Sequence, residues 1–553
     1  MEVSVVARQA SAAGSDRLML PVRSRLQLLA KQRRRCALSF SGTPTRTAAV
    51  AGLRCRRRVP PIRAAIRSEA VSEPARKAVA RKESSRRSAV DRPQLFVGLP
   101  VDAVSDCNTL NHPKAIAFGL KALRLLGVDG VELPVWWGVA EKEAMGKYDW
   151  SGYLALVQVI RDAGLQVRAS LYFHASAEPD IPLPQWVSAI GDADPDIFFT
   201  DRAGKRHRGC LSVAVDDLPV LQGKTPMQVY GDFLHSFRTT FSQFLGSTIT
   251  DILVGLGPDG ELKYPSLPQA KNRQAAGVGE FQCYDKNMLN HLKQHAESNG
   301  NHYWGLSGPH DTPHYHQSPD ATNFFKENGG SWETPYGNFF LSWYSQRLLS
   351  HADRLLSVAS AAFGDLPVTL YGKLPVMHAW YNSRSHPSEL AAGFFNTAHR
   401  DGYDAVAEAF ARHSCGVLLP SMDLSDRHQP RASRSSPESL LSQIMRACKR
   451  HGVAVAGENS GARGVPDSFG KIKETLSRRA PSPDDAPALV DKFTYQRMGA
   501  HFFSPEHFPL FTQFVRSLDW SDLHPDDQPA GDGETIPLTP SSASEGSRQM
   551  QAV

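Results

Sequence analysis

Two glutamates, Glu261 and Glu458, stand where short apolar runs end. The first lies in "GLGPDGELKYPSLP" (residues 255–268), after a glycine and one residue before Lys-Tyr-Pro; the second closes "VAVAGE" (453–458) and precedes Asn459. Paired carboxyl groups across a shared mouth suit glycoside hydrolysis, one protonating a leaving oxygen while the other activates water or attacks. Taken singly, each reads rather as an ordinary loop glutamate in a solvated turn. Trp136, Trp137, Tyr172, Trp380 and Tyr381 supply rings that could line a sugar site or pack in the core and rim.

The elements that must position these groups are legible as alternating patterns. Runs rich in Val, Ile, Leu and Phe occur at 95–100, 130–135, 167–173, 251–257, 367–373, 415–420, 453–458 and 492–498. Helical periodicity separates them. Pro113 to Leu126 carries Ile116, Leu120 and Leu123 on one face, and Ser436 to Gly452 opens with Ser436 as N-cap and Pro437 at the first helical position. Eight strand–helix units in one run predict the α/β class, with residues 93–520 forming a single (β/α)8 TIM barrel. A doubly wound sheet is the alternative, but no glycine-rich phosphate loop follows the first strand. Segments 174–223 and 258–335 become long loops after strands three and four. Both glutamates then fall at the C-terminal mouth, where such barrels carry their sites.

The 553 residues carry a net charge of +6, unevenly distributed. Residues 1–92 hold 22 Lys and Arg against 6 Asp and Glu, leaving 40 against 50 in the remainder. The leader is rich in Arg and Ser and poor in acids, which predicts an organelle transit peptide rather than a nucleic-acid arm. Residues 521–553 read as a disordered acidic, Pro- and Ser-rich tail. No stretch reaches the roughly 20 apolar residues that span a bilayer. The acidic body argues against nucleic acid as a partner. The five cysteines outside the leader, scattered and without a C-x-x-C pair, argue against a disulfide framework or structural zinc. No metal or cofactor is expected.

Several longer motifs are recognisable. "GLGPDGELKYPSLP", "GEFQCYDK" (279–286), "FFLSWYSQRLLSHAD" (339–353), "HRDGYDAVA" (399–407) and "VAGEN" (455–459) resemble the beta-amylases of glycoside hydrolase family 14. The resemblance runs from Leu95 to about Trp520. It implies a (β/α)8 barrel that releases maltose from the non-reducing ends of α-1,4-glucans with inversion, in the chloroplast or plastid stroma. It also implies that Glu261 is the proton donor, Glu458 the proton acceptor, and His174, Lys373, His378, Asn459, Ser460 and Arg497 sugar contacts. Lys373 is expected to hold Glu458 ionised.

The sequence departs from that pattern where substrate is gripped. "FHASAEPDIPLPQW" (173–186) keeps His174 but is shorter than the family's lid and lacks its hinge glycines. Asp180 stands either for the lid's aspartate or for a turn residue, and the flanking prolines favour the turn. Pro134 replaces a substrate-binding Asp, and Pro420 and Asp423 replace a Thr and a Glu of the inner loop. Ala379 stands at an aromatic position. A hydrogen bond to a charged group contributes about 1.5–3 kcal/mol, and each 1.4 kcal/mol is about tenfold in rate. The lost Asp and Thr contacts therefore imply about a 10²- to 10⁴-fold deficit. Two readings follow: an active maltohydrolase with an open site, or a weak or inactive homologue. The second, favoured here, binds α-1,4-glucan or maltose and works through another starch-degrading enzyme.

Overall fold

The chain alternates β-branched runs, which favour extended backbone, with amphipathic stretches that begin at Pro, Ser or Asp. The computed structural model describes residues 92–267, 277–461, 465–477 and 488–518. The strands are β1 (Gln94–Gly98), β2 (Gly130–Trp136), β3 (Gln166–Tyr172), β4 (Ile249–Val254), β5 (Thr369–Lys373), β6 (Gly416–Leu419), β7 (Val455–Glu458) and β8 (Val490–Tyr495). They form a closed, parallel barrel in chain order, completed by β1 pairing with β8 from Gln94↔Lys492 to Val97↔Tyr495. The main helices after successive strands are α1 (Pro113–Leu125), α2 (Ser151–Asp162), α3 (Pro226–Thr240), α4 (Pro335–Phe363), α5 (Asp404–Arg412), α6 (Pro437–Arg450), α7 (Ser468–Ser477) and α8 (Phe508–Leu518). The expected (β/α)8 barrel is therefore present. The expected transit-peptide leader, apart from Arg92, and the expected acidic tail lie outside the described residues.

Two local expectations change. β4 ends at Val254 rather than Gly257, because the last ladder bond, from Gly255 N–H to the Leu171 carbonyl, gives way to the turn at Pro258. At α6, Pro437 opens the helix but the Ser436 side chain does not cap it. Its hydroxyl bonds to the Asp426 carboxylate at 2.6 Å, which itself accepts from the Glu438 N–H at 3.0 Å and so does the capping.

The expected long loops carry structure of their own. After β3 come a tight hairpin, Ser176–Ala177 with Asp180–Ile181, a helix at Gln185–Ala193 and a second hairpin, Phe198–Thr200 with Arg206–Leu211. After β4 comes a helix at Lys286–Ser298. At the opposite, N-terminal end the barrel floor is closed by charge. Lys492 pairs with buried Asp251 at 2.6 Å. Buried Arg168 donates to Thr494 Oγ1 at 2.7 Å between the rings of Phe96 and Tyr371. Among the described residues no helix is long and apolar enough to cross a membrane.

Candidate active site

The turn that follows β4 is braced from behind. His351, on α4, bridges the Asp216 carboxylate (2.9 Å) to the Leu256 carbonyl (3.1 Å). Arg354 adds a second contact to Asp216 at 2.6 Å. Gly260 turns with φ 75°, and a Cβ there would lie 2.6 Å from the Tyr172 ring, so the position requires glycine. The Leu262 N–H then bonds to the Lys373 carbonyl at 2.9 Å, fastening the turn to the end of β5. The family-like motifs lie behind it. Tyr264 stacks on Tyr344 at 4.0 Å, and the Tyr344 hydroxyl accepts from the Gln282 N–H.

Glu261 and Glu458 thereby face the same ammonium group. Lys373 Nζ lies 3.8 Å from Glu261 Oε1 and is ion-paired to Glu458 Oε1. The other oxygen of Glu261 pairs with Lys263 at 2.7 Å, and Lys263 also holds Asp259 at 2.8 Å. The other oxygen of Glu458 accepts from Gln496 Nε2 at 3.0 Å. Burial works against the charge on Lys373, but the Glu458 and Glu261 carboxylates overcome it and its pKa is raised. For Lys263, too, burial is outweighed, by Glu261 and Asp259, with the same result. The arrangement brings two carboxylates, a shared cation and a flanking cation into one cleft of about 1950 Å³. Such a group could deliver one proton and activate one water across a bound acetal.

The remaining expected residues fall into two sets. His174, Lys373, His378, Asn459, Ser460 and Arg497 line this cleft, whereas Asp180 sits exposed on the second strand of the tight hairpin, outside the lining. Burial lowers the His174 pKa to about 4, Asp259 opposing and Lys263 and Lys373 reinforcing the shift, so the ring is neutral near pH 7. His378 Nδ1 is bonded to the Ser435 hydroxyl. The Asn459 side chain is engaged at both ends by the Gln496 backbone, at 3.0 and 2.6 Å. Ser460 turns its N–H (2.6 Å) and hydroxyl (2.8 Å) towards Asp423. That acid is buried, which raises its pKa against the Ser460 hydrogen bonds, and it is absent from the cleft lining.

Of the five rings proposed for the walls, Trp380 alone lines the cleft. Trp136 and Trp137 are core, with their indole N–H groups on the Val101 carbonyl and the Glu141 carboxylate. Tyr172 points its hydroxyl at Glu132, and Tyr381 bonds Gln443.

Pro134 leaves a strand carbonyl that Arg497 takes up. The Leu99 N–H bonds to the Glu132 carbonyl at 2.9 Å, and in a parallel ladder the next bond would run from the N–H of residue 134 to the Leu99 carbonyl. Proline has no such donor. The Leu99 carbonyl instead accepts from Arg497 NH1 at 2.7 Å, and the same nitrogen lies 3.9 Å from Glu132.

Glu132 and Gln496 are site residues that the sequence reading did not single out. Glu132 is buried and accepts from Gln496 Nε2 at 3.2 Å, joining β2 to the carboxylate of Glu458 through one amide. The available signal was an acid inside "GVELPV", since a charge in a strand buried on both faces needs a partner. Lys263 was visible beside Glu261 but had no role attached to it.

Residues 96–519 match glycosyl hydrolase family 14. The chain is 57% identical over 447 residues to "Inactive beta-amylase 9" of Arabidopsis thaliana, covering 81% of each chain. It is 41% identical to "Beta-amylase 2, chloroplastic" of Oryza sativa subsp. japonica, covering 77% of this chain and 76% of that one. Among solved structures, the catalytic domain of beta-amylase from Paenibacillus polymyxa superposes with a TM-score of 0.64 at 25% identity, covering 78% of this chain and all of that one. On the extent of that match and those identities, this chain belongs to glycosyl hydrolase family 14.

Proposed function

We propose that this chain is a beta-amylase family protein of starch breakdown in plastids that binds α-1,4-glucan or maltose but turns it over weakly or not at all. It acts as a glucan-binding regulator or scaffold for another starch-degrading enzyme. The observation that carries the reading is the bond from Arg497 to the Leu99 carbonyl, in the place of the N–H that Pro134 lacks. A guanidinium engaged in the barrel wall is a poorer sugar contact, and the same inward turn is made by Ser460 and Asn459. An acid and a base accelerate cleavage only when the glycosidic bond is held between them.

The name of the Arabidopsis relative and the chloroplastic names of other relatives support inactivity and plastid location. Residues 1–92 would then serve as the transit leader. Glu261, Lys373 and Glu458 in one mouth favour the second reading, an active inverting maltohydrolase. The experiment is maltose release from soluble starch by the purified chain beside its Glu261→Gln variant. The expected result is release barely above the variant; robust, Glu261-dependent release would establish the second reading instead.

A further inference from the structure

One wall of the cleft is made by two loops bonded to each other. The loop after β5 supplies His378 and Trp380 to the lining, and the loop after β6 supplies Ser433 and Ser435. The Trp380 N–H bonds to the Ser433 carbonyl at 2.8 Å, the Asn382 N–H to the Arg434 carbonyl at 2.9 Å, and the Ser436 N–H to the His378 carbonyl at 3.2 Å. Trp380 and Arg434 have φ values of 62° and 42°. That left-handed region is unfavourable for residues with a Cβ, which stay in it only where their surroundings over-determine them.

A third loop supplies the constraint. Glu327, in the loop after β4, accepts from Arg434 NH1 on Oε1 at 2.6 Å and from the Arg384 N–H on Oε2 at 3.2 Å. Its carbonyl accepts from the Arg384 guanidinium, whose NH2 pairs with Glu333 and whose plane lies over the Trp332 ring. Glu327, Arg384 and Arg434 are themselves outside the cleft lining. An isolated ion pair at this exposure would contribute little, but a carboxylate that ties two loops and is backed by a second ion pair forms a network.

We propose that Glu327 is a positioning residue for glucan: without touching the sugar, it clamps the loops after β5 and β6 together and so fixes Trp380 and His378 in the cleft wall. The inference rests on the glucan-binding reading above and adds a residue on which affinity depends. Arg434 is 48% exposed in this pair, so salt screens the clamp. A glucan carries no charge, and a difference in salt dependence between the wild type and a neutral variant therefore reports on the clamp.

The test is calorimetric titration of the full chain and its Glu327→Gln variant with maltoheptaose, together with amide hydrogen exchange. The variant keeps the shape of the side chain and removes its charge. Affinity should fall about tenfold in low salt. At about 1 M salt, where the Debye length is roughly 3 Å, wild type and variant should converge. Exchange at the Trp380, Asn382 and Ser436 amides should rise about tenfold in the variant, with the barrel strands unchanged. Unchanged exchange, or equal affinities in low salt, overturns the clamp and leaves the glucan-binding reading standing. A deficit that persists in full at high salt also overturns it, since Glu327 would then act by packing alone. Failure of the wild type to bind maltoheptaose overturns the glucan-binding reading and the positioning role together.

Discussion

The mount of the two glutamates and the rim that would grip a sugar chain arise from the same strand ends, but their polar groups bond differently. In the mount, Glu261, Lys263, Lys373, Glu458 and Gln496 bond chiefly to one another. At the rim, Arg497, Asn459, Ser460 and His378 bond back into the protein. The difference teaches that residues able to do chemistry can be held by structural need alone. Two largely enclosed lysines, each with 15% of its side chain exposed, require counter-charges, and the two glutamates supply them. The presence of both carboxylates is therefore weaker evidence for turnover than the state of the rim.

The largest expected effect breaks the mount. Removing one partner of a buried ion pair costs about 3–5 kcal/mol, because the other charge is left uncompensated. Lys373→Met leaves Glu458, 3% exposed, without its cation, while Glu261 keeps Lys263. The urea midpoint should fall accordingly. A near-neutral change would mean that the mount is not structural and that the comparison fails.

A second effect separates the two regions by pH. Burial gives His174 a folded-state pKa of about 4, lower than the ordinary value of 6.5. As pH falls below 6.5 the unfolded chain takes up a proton that the folded chain refuses, so stability is lost progressively down to about 4. The size is roughly 3 kcal/mol at the acid end. Asp285 shifts the other way, with burial raising it to about 7, and favours the fold as pH falls through the same window. Comparing the wild type with His174→Gln isolates the histidine: the variant should gain relative stability between pH 7 and 4 by roughly that amount. A difference that is flat with pH would place His174 in contact with water.

Much of this was legible from the sequence, for identifiable reasons. A buried parallel strand needs an uninterrupted apolar run, so all eight strands showed, as did the core face of α1 at Ile116, Leu120 and Leu123. Glu458 could be placed at the mouth because it closes β7, and Glu261 because the turn that carries it directly follows β4. What could not be read was the destination of each polar group. "SPESLL" looks like a serine cap, yet Asp426, in the loop before it, caps the helix. Trp136 and Trp137 look like a sugar wall, but their rings are buried in the core. Glu132 and Gln496 meet only through the closure of the barrel, across 364 residues of chain. Such pairings depend on register between strands, which a single sequence does not display.

The smallest effect tests the rim most directly. If Arg497 replaces the ladder donor that Pro134 lacks, its loss should weaken the barrel wall itself. Arg497→Ala should then cost about 1.5–3 kcal/mol, the value of a hydrogen bond from a charged group, even with no sugar present. Pro134→Ala restores a backbone N–H that can reach the Leu99 carbonyl, so that Arg497 is no longer needed there. In the Pro134→Ala background, Arg497→Ala should therefore cost about 1 kcal/mol less, a coupling within the range seen for residues that share a partner. Chemical denaturation of the four proteins in this cycle measures that coupling. Additive effects would mean that Arg497 and Pro134 are independent. The guanidinium would then be free to bind sugar, and the case for a dismantled rim would lose its principal observation.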